Sequence, residues 1–94
     1  MSETVVHSSG NVFIDLGYSP EEAAILLMRA DLLADIRNWI KAKRLTQAKA
    51  AETLGVSQSR VSDLIRGRWE KFSLEMLIIL STKAGMHVTL KKAA

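Results

Sequence analysis

Two glutamines eleven residues apart, Gln47 and Gln58, are the side chains in this sequence best placed for chemistry. Each follows a hydroxyl residue, Thr46 or Ser57, that can cap a helix, so each opens a helix whose first backbone N–H groups lack a partner within it. A side-chain amide beside such N–H groups can hold a phosphate. A glutamine amide can also pair bidentately with N6 and N7 of an adenine in the major groove of a duplex. Around the first glutamine lie Lys49 and Arg44, which can add charge toward a phosphate. After the second come Ser59, Arg60, Ser62, Asp63, Arg66 and Arg68, a run of short hydroxyls and guanidiniums. Asp63 fits this set least simply, because phosphates repel a carboxylate. It can accept from a cytosine N4, or orient Arg60 or Arg66. The alternative for either glutamine is a solvated surface amide.

These residues can act together only if two short helices position them. Thr46 starts the first, and Gly55 stops it by accepting the left-handed conformation. Ser57 caps the second, Gly67 stops it, and Val56 with Val61 forms a hydrophobic staple across its start. The chain therefore turns within about three residues, which is helix-turn-helix spacing. Two helices crossing steeply need a small residue where they touch, and Ala51 stands at the right distance before Gly55. At about 100° per residue, Val61 and Leu64 fall on the inner face of the second helix with Ile65 beside them. Ser59, Ser62, Asp63 and Arg66 fall opposite, a short polar face that can enter a groove. Generic packing of two capped helices is the alternative.

The run from Leu45 to Gly67, LTQxxAAxxLGVSQxRVSxLxRG, resembles the helix-turn-helix of the phage-repressor group, that of Cro and the lambda repressor (the XRE superfamily). More of the chain resembles the HigA-like antitoxins of that superfamily: Ser9-Gly10-Asn11-Val12-Phe13, Leu16-Gly17, Arg66-Gly67-Arg68, Phe72-Ser73-Leu74-Glu75 and an alternating tail, covering Ser9 to Leu90. The resemblance implies that Gln47 reaches the DNA backbone and Gln58 a base. It also implies an antitoxin that neutralises a cognate RNA-cleaving toxin and represses the operon encoding both. Ile65 departs from the many phage repressors with glutamate there, and this favours the antitoxin branch.

Composition bounds the rest. Ninety-four residues suit one domain, expected over residues 11–94, with residues 1–10 a mobile N-terminal segment. There is no cysteine, so neither disulfides nor thiolate metal sites are available. No apolar run reaches the roughly 18 residues of a membrane span. Met1-Ser2-Glu3-Thr4 lacks the basic and apolar regions of a signal peptide, and a soluble cytoplasmic protein without membrane contact is expected. The net charge of +3 is unevenly spread. Residues 1–36 set one arginine against six carboxylates; residues 37–71 set nine cations against three, a local +6; residues 72–94 carry +2. The basic segment contains the paired helices, where positive charge neutralises phosphates and releases counterions.

Asn11-Val12-Phe13-Ile14 is apolar enough to dock or to pair as a short strand. Asp15-Leu16-Gly17-Tyr18 reads as a turn. Ser19-Pro20-Glu21-Glu22 starts a helix with a cap, a first-turn proline and a capping box. That helix runs to about Lys43, with Ile25, Met28, Leu32, Ile36, Trp39 and Ile40 at helical spacing and Leu26, Leu27 and Leu33 widening the stripe. So wide a stripe implies burial against more than one surface, or a kink near Arg29. Phe72 staples onto Leu77 across the Ser73 cap of a further helix, which Gly85 ends. Met86-His87-Val88-Thr89-Leu90-Lys91 alternates as a half-buried strand does. Met86, Val88 and Leu90 share one face and are the expected dimer contact, pairing with the same strand of a second subunit; the alternative is pairing with Asn11 to Ile14 of the same subunit, which leaves dimerisation to the helices.

Catalysis finds little support. His7 and His87 are far apart in sequence, Glu21-Glu22 and Asp31-Asp35 read as a helix start and a solvated face, and no phosphate loop or nucleophile motif occurs. No cofactor or metal is expected. The sequence predicts an all-α fold, a small helix-turn-helix bundle of lambda-repressor type with a short C-terminal β-strand. Its expected function is a non-enzymatic homodimeric repressor that binds double-stranded operator DNA, with a cognate toxin as a further partner. Rival readings are a phage or host repressor without a toxin, and a protein-interaction module on the same scaffold.

Overall fold

Short polar side chains decide where each helix begins. The hydroxyls of Ser19, Thr46, Ser57 and Ser73 accept from the backbone N–H three residues on, at Glu22, Lys49, Arg60 and Met76. The Asn11 side-chain oxygen accepts from the N–H two residues on, at Phe13. These caps open five helices: α1 (Val12–Asp15), α2 (Pro20–Ala42), α3 (Gln47–Leu54), α4 (Gln58–Ile65) and α5 (Leu74–Lys83), with a 3-10 turn at Trp69–Lys71 between α4 and α5. The computed structural model describes residues 11–90 and residue 92, so the expected mobile segment at 1–10 lies outside the described residues. Each cap contributes about 1 kcal/mol relative to alanine. The Ser19 capping box closes through the hydroxyl, which donates to the Glu22 carboxylate at 3.3 Å.

Two different residues take the left-handed conformation that stops α2 and α3. Gly55 (φ 71) ends α3, and its N–H and that of Val56 both donate to the Ala51 carbonyl at 2.8 and 3.1 Å. Arg44 (φ 54) does the corresponding work after α2, where the Leu45 N–H reaches back to the Ile40 carbonyl at 3.0 Å.

The 23-residue α2 is the spine, in contact with α1, α4, α5 and the 3-10 turn. It packs two cores. Its C-terminal half, through Leu33, Ile36 and Ile40, meets Leu54, Val61, Leu64, Phe72, Leu77 and Leu80. Its N-terminal half, through Ala23 and Leu26, meets Phe13. Phe72 and Leu77 are both buried in the main core, consistent with the expected staple.

Several expectations need correction. Asn11 to Ile14 is not extended: Asn11 caps the single turn α1, and its Nδ2 donates to the Ala23 carbonyl at 2.9 Å. Of the two readings of the wide stripe, burial against more than one surface is the one found: α2 runs unbroken past Arg29 and serves two cores. Ile25 and Met28, read as stripe residues, are exposed, whereas Leu26 and Leu33 are buried. The expected C-terminal strand does not form among the described residues, where 86–90 is irregular. A strand needs a partner for its backbone groups, and the candidate among the described residues, Asn11 to Ile14, is a helical turn. Met86 packs against the main core and donates its N–H to the Ser81 carbonyl at 2.9 Å. Val88 and Leu90 lie exposed along a groove of about 500 Å³ that also contains Met28, Asp31, Leu74 and Ile78.

Candidate nucleic-acid interface

The turn between α3 and α4 is Gly55-Val56-Ser57, and the two helices pack directly on each other. Ala51 is buried, as the crossing requires, and Ala50 beside it is wholly buried. Val61 and Leu64 are also fully buried and fix the inward face of α4. The outward face follows from that anchoring. Ser59 and Arg66 are exposed there, and Gln58 is exposed at the first position of the helix; Ser62 and Asp63 are half-buried.

On α3, Thr46, Gln47 and Lys49 are all exposed. The oxygens of Thr46 and Ser57 accept from the helix backbone, which leaves each hydroxyl proton able to donate outward. Lys49 Nζ stands 3.4 Å from Glu52 Oε1, both side chains largely exposed, a contact weak enough for a phosphate to displace.

Three predicted site residues have partners that the sequence did not suggest. Asp63 is paired with neither Arg60 nor Arg66; its nearest cation is Arg68, whose Nη1 lies 3.9 Å away. The Arg68 N–H also donates to the Asp63 carbonyl at 3.0 Å, so the pair closes the turn after α4. Arg60 folds back from the outward face. Its Nη1 donates to the Lys71 carbonyl at 3.0 Å, and its guanidinium lies 5.3 Å from the centre of the Phe72 ring.

Sequence reasoning missed Arg29. From α2, its Nε donates to the Phe72 carbonyl at 2.8 Å and its Nη2 to the Trp69 carbonyl at 2.9 Å. The same guanidinium lies 5.2 Å from the Trp69 ring centre, and Phe13 meets that ring edge-on at 5.7 Å. Arg29 and Arg60 thus clamp the 3-10 turn from two helices, which holds α4 against the rest of the domain. A sequence signal existed in Arg29 itself, the one cation among residues 1–36 and set within an apolar stripe, but its partners lie 40 and 43 residues away.

Among the described residues no group of three or more histidine, cysteine, aspartate or glutamate side chains could hold a metal ion. None of the described helices is long and apolar enough to cross a membrane.

Two short helices joined by a glycine turn, the second buried along one face and polar along the other, define a helix-turn-helix. The chain belongs to the helix-turn-helix domain family, whose model matches residues 12–91. No curated protein matches it. Membership gives the coarse function, that of a DNA-binding regulator.

Proposed function

We propose that this protein is a sequence-specific repressor that binds operator DNA as a homodimer, with α4 in the major groove and the start of α3 on the phosphate backbone. The observation that carries the reading is the exposed face of α4: Gln58, Ser59 and Arg66 are free to reach base edges while Val61 and Leu64 hold the helix rigidly. Gln58 reads an adenine; Gln47, Thr46 and Lys49 hold phosphates. Ser57, Ser62 and Arg68 flank the reading helix and add polar contacts to the backbone. Arg60 and Asp63 act by fixing the helix and the turn behind it.

The dimer forms through the C-terminal segment. Val88 and Leu90 are exposed, 71% in the case of Leu90, beside exposed Met28 and Ile78. A second copy would cover these side chains and offer the 86–90 segment a backbone partner that the described residues of one chain do not supply. The resemblance to HigA-like antitoxins supports a role in a toxin-antitoxin operon inside the cell, in which the protein neutralises an RNA-cleaving toxin and represses its own transcription. A repressor without a toxin uses the same DNA-binding face; a short basic reading frame beside the gene, whose product co-purifies with this protein, distinguishes the two.

The DNA reading is tested by a gel shift on the DNA upstream of the protein's own reading frame, with increasing salt and random duplex as competitor. A complex that salt weakens and that random duplex displaces poorly supports it. A complex displaced equally well by both DNAs contradicts it.

A further inference from the structure

On α2 the exposed cations Arg37 and Lys41 stand one helical turn apart and line the same groove of about 340 Å³. Its other walls are Ala34, Asn38, Ile40 and, from the end of α4, Ile65. No carboxylate lines it. Among the described residues no Asp or Glu lies within ion-pair distance of Arg37 or Lys41; the ion pairs there are Lys49–Glu52 and Arg68–Asp63. Arg37 also reaches across to the end of α4. Its Nη1 lies 3.4 Å from the point a Cβ on Gly67 would occupy, so the guanidinium rests against the residue that follows the last turn of α4. A helix C-terminus carries partial negative charge and favours a cation there.

Two cations that no carboxylate of the described residues pairs with face one open groove, and with an amide between them and an apolar floor they match one class of ligand. A phosphodiester offers the anionic oxygens, and its deoxyribose offers an apolar surface to Ile65, which is 37% exposed. The groove adjoins the C-terminal end of the reading helix, and α2 leads directly through Lys43 and Arg44 to the start of α3. We infer that Arg37 and Lys41 form a second backbone clamp, which grips duplex DNA phosphates beside α4 in addition to those held at the start of α3. This rests on the DNA-binding reading above and extends the contact surface to the first long helix.

The test uses a duplex of random sequence, because a phosphate contact carries no base information. The intact protein and an Arg37→Gln/Lys41→Gln variant are titrated across a salt series. Each lost phosphate contact lowers the slope of log affinity against log salt by about 0.9. The variant should therefore lose about 1.8 from the slope, and the wild-type advantage should shrink about tenfold between 50 and 200 mM salt. Arg37→Lys/Lys41→Arg, which preserves both charges, should restore most of the slope. A control of equal charge, Lys91→Gln/Lys92→Gln, should leave the slope close to wild type. If the groove variant keeps the wild-type slope, or the control lowers it equally, the clamp is wrong while DNA binding stands. If the wild-type protein binds no duplex at low salt, the DNA-binding reading fails and the clamp with it.

Discussion

Among single side chains, the two arginines of the clamp show what sequence reasoning can and cannot reach. Arg60 sits in the motif and was grouped with the DNA-facing residues, because helical position alone cannot show that a long side chain turns back to a carbonyl eleven residues on. Arg29 stands out in the sequence only as a lone cation in an apolar stripe, since its partners are distant in sequence and are backbone oxygens, which every residue carries. The glutamines were legible because their position after a cap leaves few places for the side chain to go. Asp31 allows a test of the electrostatics of α2. Burial, and then the Asp35 carboxylate one turn on, push its pKa above the ordinary 3.8. The folded state thus binds the proton more tightly than the unfolded state. The resulting stabilisation is complete below pH 3.8 and is lost as pH rises through the elevated folded value. Asp31→Asn should accordingly melt at a higher temperature than wild type near neutral pH, with the gap closing as the pH falls to that range. Melting curves that stay parallel from acid to neutral pH would refute the assignment.

At the scale of elements, the four long helices were legible because their boundaries are local. Ser19, Thr46, Ser57 and Ser73 each act within three residues, and no tertiary information is needed to place them. The ends of the chain were not legible for the opposite reason. Whether Asn11 to Ile14 is extended or helical depends on an amide that reaches Ala23, and an alternating tail becomes a strand only where a partner edge exists. Arg44 joins local geometry to function. An L-residue in the left-handed region costs about 1–2 kcal/mol, whereas glycine there costs only the extra unfolded-state entropy of about 0.5–1 kcal/mol. Arg44→Gly should therefore raise stability by up to about 1 kcal/mol, or a melting shift of roughly 4–8 °C at that upper limit for a domain of this size. It should also lower the salt dependence of DNA binding, because one cation before α3 is lost. A destabilised variant would mean that the arginine makes a contact worth more than its backbone strain.

For the whole molecule, the reading requires two copies. Recognition helices that face successive major grooves about 34 Å apart read a near-palindrome, and one chain supplies only one such helix. Deleting residues 86–94 should leave most of the helix content, shift sedimentation to the monomer and weaken operator binding strongly. A truncated protein that remains dimeric would move the principal dimer contact to the helices.

If α4 reads bases, Gln58 is the side chain at which base reading is measured most directly. An operator is first selected from random duplexes with the wild-type protein. The affinities of wild type and Gln58→Ala are then compared on that operator and on an unselected duplex at one salt concentration. A base-reading Gln58 gives a loss of about 1–3 kcal/mol on the operator, relaxed preference at one base position and little change on the unselected duplex. An equal loss on both DNAs would contradict it.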